Sequence, residues 1–243
     1  MYAFLIKELN SFFSSLTGLI AAVVFLVVNG LFIWVFPGEL NVFDSGYSSL
    51  DTLFIIAPWV FLFLVPAIAM RTFSEEKRTG TIELLLTRPI PDIHLILGKY
   101  FAVVALVIII LLPSLVFFAS VYLLGSPVGN IDIGGTWGSY IGLFFLATGY
   151  AAVSVFASSL TQNHIVSFII GMILCFFLFI GLESIASLQF FKGIQHIVVS
   201  MGINEHYRSM SRGVIDSRDM VYFFSLATLF LLATRTVLQS RKW

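Results

Sequence analysis

The chain alternates between six long apolar runs and shorter polar segments. Each run holds about 20 residues, enough for an α-helix to cross the hydrocarbon layer of a membrane. The last run reaches Arg235 after only about fifteen apolar residues, so we expect its helix to continue to Leu238 while Arg235 extends to the membrane surface. Around the start of the fourth run, small residues repeat every four positions at Gly134, Gly138 and Gly142, a pattern that lets helices approach closely. The runs cover residues 16–36, 53–70, 101–124, 140–160, 165–182 and 220–238.

The one long charged segment between two apolar runs covers residues 71–100. It carries nine charged residues, whereas the whole chain has 13 basic and 13 acidic residues. Thr72 followed by Glu75 fits a capping box, which predicts a short helix that starts there and runs through Arg78. Gly80 interrupts this helix because glycine is a poor helix former.

Residues 81–87 predict a second short helix, lying parallel to the bilayer. Ile82, Leu85 and Leu86 share one of its faces, and Glu83 lies away from that face. The two prolines that follow end the helix. The alternative is an ordinary solvated loop with an amphipathic turn that rests on the membrane.

Two further segments and one acidic residue stand out. Residues 1–15 predict an amphipathic helix at the membrane interface, and residues 184–219 predict one or two short helices at the opposite surface. Glu183 ends the fifth run. An acid inside a membrane is a candidate for a gating role, but at a helix end it can also simply reach interfacial water.

Composition and charge place the chain in a membrane and give it an orientation. Only 11% of residues are charged and the mean hydropathy is +1.01, whereas soluble domains carry about 25% charged residues. The net charge of zero excludes the basic footprint of a nucleic-acid-binding protein. With six spans, nine Lys and Arg residues share the side of the two termini and four lie on the other. The positive-inside rule therefore predicts cytoplasmic termini, a cytoplasmic segment 71–100 and an external segment 184–219.

The motifs of several enzyme classes are missing from the sequence. The chain has no phosphate loop for ATP hydrolysis and no H-E-x-x-H zinc motif. Its four histidines lack the spacing of metal ligands. The single cysteine, Cys175, lies inside an apolar run, where a core role is expected. We therefore predict a non-catalytic membrane protein that is moved by something else.

Two sequence strings resemble one known family. The string EEKRTGTIELL, which starts at Glu75 and is followed by Pro89, resembles the cytoplasmic loop of type-2 ABC exporter permeases. The string SMSRGVIDSRD, which starts at Ser209, is similar to that family's approach to its final span. The similarity extends over the whole chain and is closest to permeases associated with gliding motility.

The resemblance implies a fold and a place in the cell. The fold would be an all-α integral membrane protein with six transmembrane helices, forming one domain over residues 1–243. An interfacial helix would cover residues 1–15. A cytoplasmic loop between the second and third spans, residues 71–97, would contain the coupling helix. Short external helices would lie within residues 184–219. Both termini would lie in the cytoplasm, at a bacterial inner membrane.

The resemblance also implies a function and a set of partners. The chain would be the permease subunit of an ABC transporter, binding no cofactor directly, with ATP and magnesium on two copies of a separate ATPase. A second permease copy or homologous permease would meet it along the second and fifth spans, leaving the glycine row of the fourth span for internal packing. An auxiliary gliding subunit and the lipid bilayer complete the expected partners, and no nucleic acid is expected. The implied ATPase contacts are Glu75, Glu76, Arg78, Thr81, Ile82, Glu83, Leu85 and Leu86.

Two alternatives stay open at this point. One is a membrane partner that transmits ATP-driven motion to an extracytoplasmic machinery and transports no substrate. The other is an intramembrane enzyme or carrier that acts alone, which the missing catalytic clusters disfavour.

Overall fold

A computed structural model describes residues 16–86, 91–188, 190 and 193–240. In this part of the chain the regular structure is entirely helical, and six helices are long and apolar enough to cross a membrane. The six-span all-α prediction is therefore confirmed. The interfacial helix predicted over residues 1–15 lies outside the described residues.

The six spans follow one another as antiparallel helices, and three of them change helical pitch along their length. The first span is Leu16–Gly30 and ends in a π-helical turn, Leu31–Val35; the second begins as Asp51–Ala69. The third is Asp92–Leu111 and continues through Leu112–Ser114 into Leu115–Leu124. The fourth is Ile133–Leu160. The fifth is His164–Phe176 and continues through a π-helical turn, Phe177–Gly181, into Leu182–Ala186; the sixth is Ser217–Gln239. The short helices are Val42–Ser45, Arg71–Arg78, Thr81–Leu86, Gln195–Ser200 and Ile203–Met210.

The fourth span is the centre of the bundle. It packs against the second, third, fifth and sixth spans, and most of its residues are buried. The glycine row on this helix serves internal packing: a Cβ at Gly142 would lie 2.6 Å from Cβ of Met210, and one at Gly138 would lie 2.5 Å from the carbonyl oxygen of Gly213. The segment before the sixth span can therefore approach the fourth span only because these side chains are absent.

The second span is longer than the membrane requires. Its backbone runs on through Met70, whose N–H donates to the carbonyl of Pro66 at 2.9 Å, so Asp51–Arg78 is one continuous 28-residue helix. At 1.5 Å per residue this is about 42 Å, against about 30 Å of hydrocarbon. The prediction of a capping box at Thr72 is wrong, because no helix begins there and the Thr72 hydroxyl donates to the carbonyl of Ala69 instead.

Pro58 interrupts the hydrogen bonding of the second span, and a distant tyrosine repairs it. Proline has no N–H, so the carbonyl of Phe54, four residues earlier, loses its helical donor. The hydroxyl of Tyr207 donates to that carbonyl at 2.6 Å. Burial raises the pKa of Tyr207, so the hydroxyl keeps the proton that it donates.

Candidate coupling site

Arg71–Arg78, the last part of the continuous second helix, is bound to the end of the fourth span. The hydroxyl of Ser158 accepts hydrogen bonds from the backbone N–H groups of Phe73 at 3.0 Å and Ser74 at 3.2 Å. It donates to the carbonyl of Met70 at 2.9 Å. One side chain of the fourth span thus bonds three backbone groups at the junction between the membrane-spanning and protruding parts of the second helix.

A buried ion pair binds the same helix to the third span. Lys99 is 1% exposed at its side chain, and its Nζ lies 2.9 Å from Oε1 of Glu76, whose side chain is 10% exposed. The ammonium also donates to the carbonyl of Thr72 and lies 5.1 Å from the ring centroid of Phe73, within range of a cation–π interaction. Removing one member of such a pair would leave the other charge buried without its counter-ion.

The fifth span contacts the helix through its first residue, His164. Its Nδ1 lies 2.6 Å from the hydroxyl oxygen of Ser74, and its Nε2 lies 2.7 Å from Oε2 of Glu75. The other carboxylate oxygen of Glu75 accepts a hydrogen bond from Arg78 at 2.7 Å. The third, fourth and fifth spans therefore all hold Arg71–Arg78 directly.

The side of residues 71–86 that does not contact the other spans faces outward. Arg78, Thr81 and Glu83 are exposed, and Glu75 is half-buried. Gly80 has φ of +71°, a left-handed conformation that glycine adopts at little cost and that ends the first short helix. The break between two short helices at Gly80 is as predicted from the sequence.

The predicted site residues thus divide into an outward and an inward group. Glu75, Arg78, Thr81 and Glu83 belong to the outward group. Glu76 and Ile82 are buried inside the chain, and the side chains of Leu85 and Leu86 lie outside the described residues. We call residues 71–86 the coupling segment from here on.

Glu183 lies at the far end of the bundle, which is the end opposite the coupling segment. Its Oε2 accepts a hydrogen bond from Asn204 at 2.8 Å, and its Oε1 lies 3.6 Å from Nη1 of Arg208. The carboxylate therefore connects the end of the fifth span to the short helix Ile203–Met210.

Three residues of the site escaped the sequence analysis: Lys99, Ser158 and His164. A lysine or histidine beside an apolar run is typical of the membrane interface, and a serine near a helix end is common. Nothing in the sequence therefore marks these three residues as members of a site. Their partners are separated from them by 23 to 90 positions in the chain, so no local pattern connects them.

The site consists of hydrogen bonds and one buried ion pair that join four helices. Among the described residues, no group of three or more His, Cys, Asp or Glu side chains is placed to hold a metal ion. The sequence profile of the ABC-2 family transporter proteins matches residues 13–181, well over half of the chain. The chain belongs to this family. The comparison with curated proteins finds no match.

This ABC-2 protein is accordingly a permease subunit of an ABC transporter and a multi-pass membrane protein. Permeases of the family are generally non-catalytic and generally work with an ABC ATPase. In this permease, the matched region includes the whole coupling segment, the first four spans and residues 164–181 of the fifth.

Proposed function

We propose that this permease couples ATP hydrolysis on a separate ATPase subunit to movement of its spans, and that the coupling segment is the docking element. The observation that carries the proposal is the two-sided arrangement of this segment. One side is bonded to the third, fourth and fifth spans, and the other side presents polar side chains to solvent. A partner that pushes on the exposed side would displace three spans together.

The exposed and half-buried polar residues of the segment are the proposed contacts with the ATPase. These are Glu75, Arg78, Thr81 and Glu83, with Leu85 and Leu86 as apolar contacts. Glu76 and Ile82 are buried against the chain itself, so their proposed part is to hold the segment in place.

The distribution of basic residues along the chain supports the proposed orientation. The positive-inside rule supports cytoplasmic termini and a cytoplasmic coupling segment, which is where ATP is available. From the resemblance to type-2 ABC exporter permeases we propose a bacterial inner membrane, with magnesium and ATP bound to two ATPase copies.

A second permease copy, or a homologous permease, is proposed to cover an apolar groove on one face of the bundle. A cavity of about 690 Å³ lies there between the first, second and fifth spans. Its lining is almost entirely apolar and includes Phe32, Trp59, Phe63 and Phe168. An apolar lining of this kind is compatible with a lipid-like substrate.

The apolar lining also supports a second candidate function, in which nothing is transported. The permease would then transmit ATP-driven motion to an extracytoplasmic machinery, such as that of gliding motility. The auxiliary membrane or periplasmic proteins that accompany the ATPase distinguish this function from export.

Co-purification from native membranes tests the proposal. The charge swap Arg78→Glu with Glu83→Lys keeps the net charge and inverts the exposed pattern, so we expect it to abolish recovery of a nucleotide-binding ATPase. The matched control is Glu205→Lys with Arg218→Glu, which swaps two exposed charges at the far end and should leave recovery unchanged. Failure to recover an ATPase with the unaltered chain, or full recovery with the first swap, would overturn the proposal.

A further inference from the structure

Two small cavities lie side by side at the far end of the bundle. The first has a volume of about 260 Å³, and its lining includes Trp59, Arg208 and Arg212. The second has a volume of about 250 Å³. Phe54, Ser211 and Arg212 line both cavities, so the two adjoin. Each has room for much more than one water molecule, whose share of liquid volume is about 30 Å³. We call the two cavities together the far-end cleft.

The first cavity lies where two spans depart from regular α-helix. On one side is the break at Pro58, where the hydroxyl of Tyr207 bonds the carbonyl of Phe54, and all three residues line the cavity. On the other side, Phe179 belongs to the π-helical turn Phe177–Gly181 of the fifth span. Such turns occur frequently at functional sites. The walls of this cavity are therefore parts of the spans themselves.

Basic side chains gather at this cleft although they are few on its side of the membrane. The sequence places four Lys and Arg residues on the side opposite the termini, and two of them, Arg208 and Arg212, line the first cavity. Among the described residues, no acidic side chain lines that cavity, and no hydrogen bond or ion pair engages the guanidinium of Arg212. Arg208 lies 3.6 Å from Glu183, beyond hydrogen-bond distance. The two guanidinium groups therefore have N–H donors available, in a geometry that matches phosphate oxygens.

The second cavity has the opposite charge. Its lining includes the carboxylates of Asp51 and Asp132 and the hydroxyl of Ser48. Asp132 accepts a hydrogen bond from the backbone N–H of Gly135 at 2.9 Å. An ionised carboxylate has about four acceptor positions, so both aspartates keep the capacity to accept from an N–H or O–H group of a ligand.

The groups along the far-end cleft follow the same order as the parts of a phospholipid. Asp51 begins the second span at the far end, and Trp59 lies eight residues further along it, which is about 12 Å deeper at 1.5 Å per residue. Arg212 lies between these two positions, because it lines both cavities. From the membrane outward, the cleft thus presents an aromatic wall, then arginine, then carboxylate. Acyl chains, phosphate and amine follow one another in this order in a phospholipid with an ethanolamine headgroup.

We propose that the far-end cleft binds one ethanolamine phospholipid from the membrane leaflet at that end. Arg208 and Arg212 bind its phosphate. Asp51 and Asp132 accept hydrogen bonds from its amine, and the first part of its acyl chains lies against Trp59. A choline headgroup has no N–H and binds less well.

This site is separate from the surfaces proposed above. The cleft and the apolar groove proposed for a second permease share only Trp59 among their lining residues. The lipid site therefore does not depend on the coupling segment, on an ATPase or on a transported substrate.

Photo-cross-linking of the full chain in lipid nanodiscs tests the proposal. Two lipids with the same diazirine-bearing acyl chain, one with an ethanolamine and one with a choline headgroup, would each be added as a minor component to nanodiscs of choline lipid. Peptide mapping gives the labelling yield at the cleft relative to the yield at Leu229, an exposed apolar residue of the sixth span. We expect this relative yield to be about tenfold higher for the ethanolamine lipid, the equivalent of one charge-assisted hydrogen bond.

Three variants assign the parts of the headgroup to their residues. Arg208→Gln with Arg212→Gln should lower the relative yield at the cleft about tenfold for both lipids, because both carry the phosphate. Both arginines are exposed, so we expect the double variant to fold, and circular dichroism checks this. Asp51→Asn should reduce the preference for ethanolamine and leave the yield of the choline lipid unchanged. Arg218→Gln is the matched control, since this exposed arginine lines neither cavity, and it should change neither yield.

Four results would overturn the lipid site. The first is equal relative yields of the two lipids at the cleft of the unaltered chain. The second is a double arginine variant that is labelled as strongly as the unaltered chain. The third is a loss of labelling in Arg218→Gln as large as in the double variant, which would show an effect of overall charge. The fourth is full competition by soluble phosphoethanolamine, which would make a free headgroup, and not a lipid, the occupant.

Discussion

Substitutions at Pro58 and Tyr207 can measure how this protein compensates for the hydrogen bond that a proline removes from a membrane span. Replacing Tyr207 by phenylalanine removes only the hydroxyl that donates to the carbonyl of Phe54. The carbonyl would then be buried with neither its helical donor nor its substitute. An unpaired buried polar group costs about 1–3 kcal/mol, and hydrogen bonds measured between membrane helices reach about 1.7 kcal/mol. We therefore expect the free energy of unfolding to fall by about 1–2 kcal/mol.

The same substitution should cost much less when residue 58 is alanine. In Pro58→Ala the backbone N–H of residue 58 can bond the Phe54 carbonyl, so Tyr207→Phe in that background should lower the free energy of unfolding by less than about 0.5 kcal/mol. Reversible unfolding in mixed micelles would be measured for the four proteins that combine Pro or Ala at position 58 with Tyr or Phe at position 207. These measurements give the change in the free energy of unfolding in each background. Tyr222→Phe is the control, because its hydroxyl bonds the carbonyl of Met201 and its cost should be equal in both backgrounds. An equal cost of Tyr207→Phe in the two backgrounds would refute the compensation.

Two further predictions use the same unfolding measurement. Lys99→Met should lower the free energy of unfolding by about 3–5 kcal/mol, because it leaves the Glu76 carboxylate buried without its counter-ion; adding Glu76→Gln should recover part of this loss, and no recovery would argue against the ion pair as the cause. Gly138→Ala should cost about 1–3 kcal/mol, because the new Cβ would meet the carbonyl of Gly213 at 2.5 Å. Gly134→Ala is its matched control and should cost less, since the nearest atom to that Cβ is 3.6 Å away; equal costs would contradict the close approach.

The sequence predicted those parts of the fold that depend on local pattern. Length and hydropathy were enough for the six spans, and the break at Gly80 followed from the poor helix propensity of glycine. The sixth span also continues past Arg235 to Gln239, as the shortness of its apolar run required. The capping box at Thr72 failed because the local motif could not reveal that the preceding helix continues.

The contacts that hold the coupling segment could not be predicted in this way. Ser158 bonds residues 84 and 85 positions away, and Tyr207 bonds a carbonyl 153 positions away. Such partners meet only after the spans have packed. Glu76 shows the consequence, because its charge suggests a surface residue, whereas the structure gives it a buried lysine as its partner.

The continuous helix Asp51–Arg78 has a mechanical consequence. Within the membrane-spanning part, this helix passes close to the fifth span at Pro66, whose Cβ lies 3.3 Å from the position that a Cβ on Gly171 would take, so this contact can serve as a fulcrum. The arm from Pro66 to Arg78 is about 18 Å long and the arm to Asp51 about 22 Å, at 1.5 Å per residue. If the helix acts as a rigid lever with these arms, a sideways displacement of the Arg78 end moves the Asp51 end in the opposite direction. The displacement of the Asp51 end is about 1.2 times as large. The direction of leverage would then be set by where glycine allows the two helices to touch.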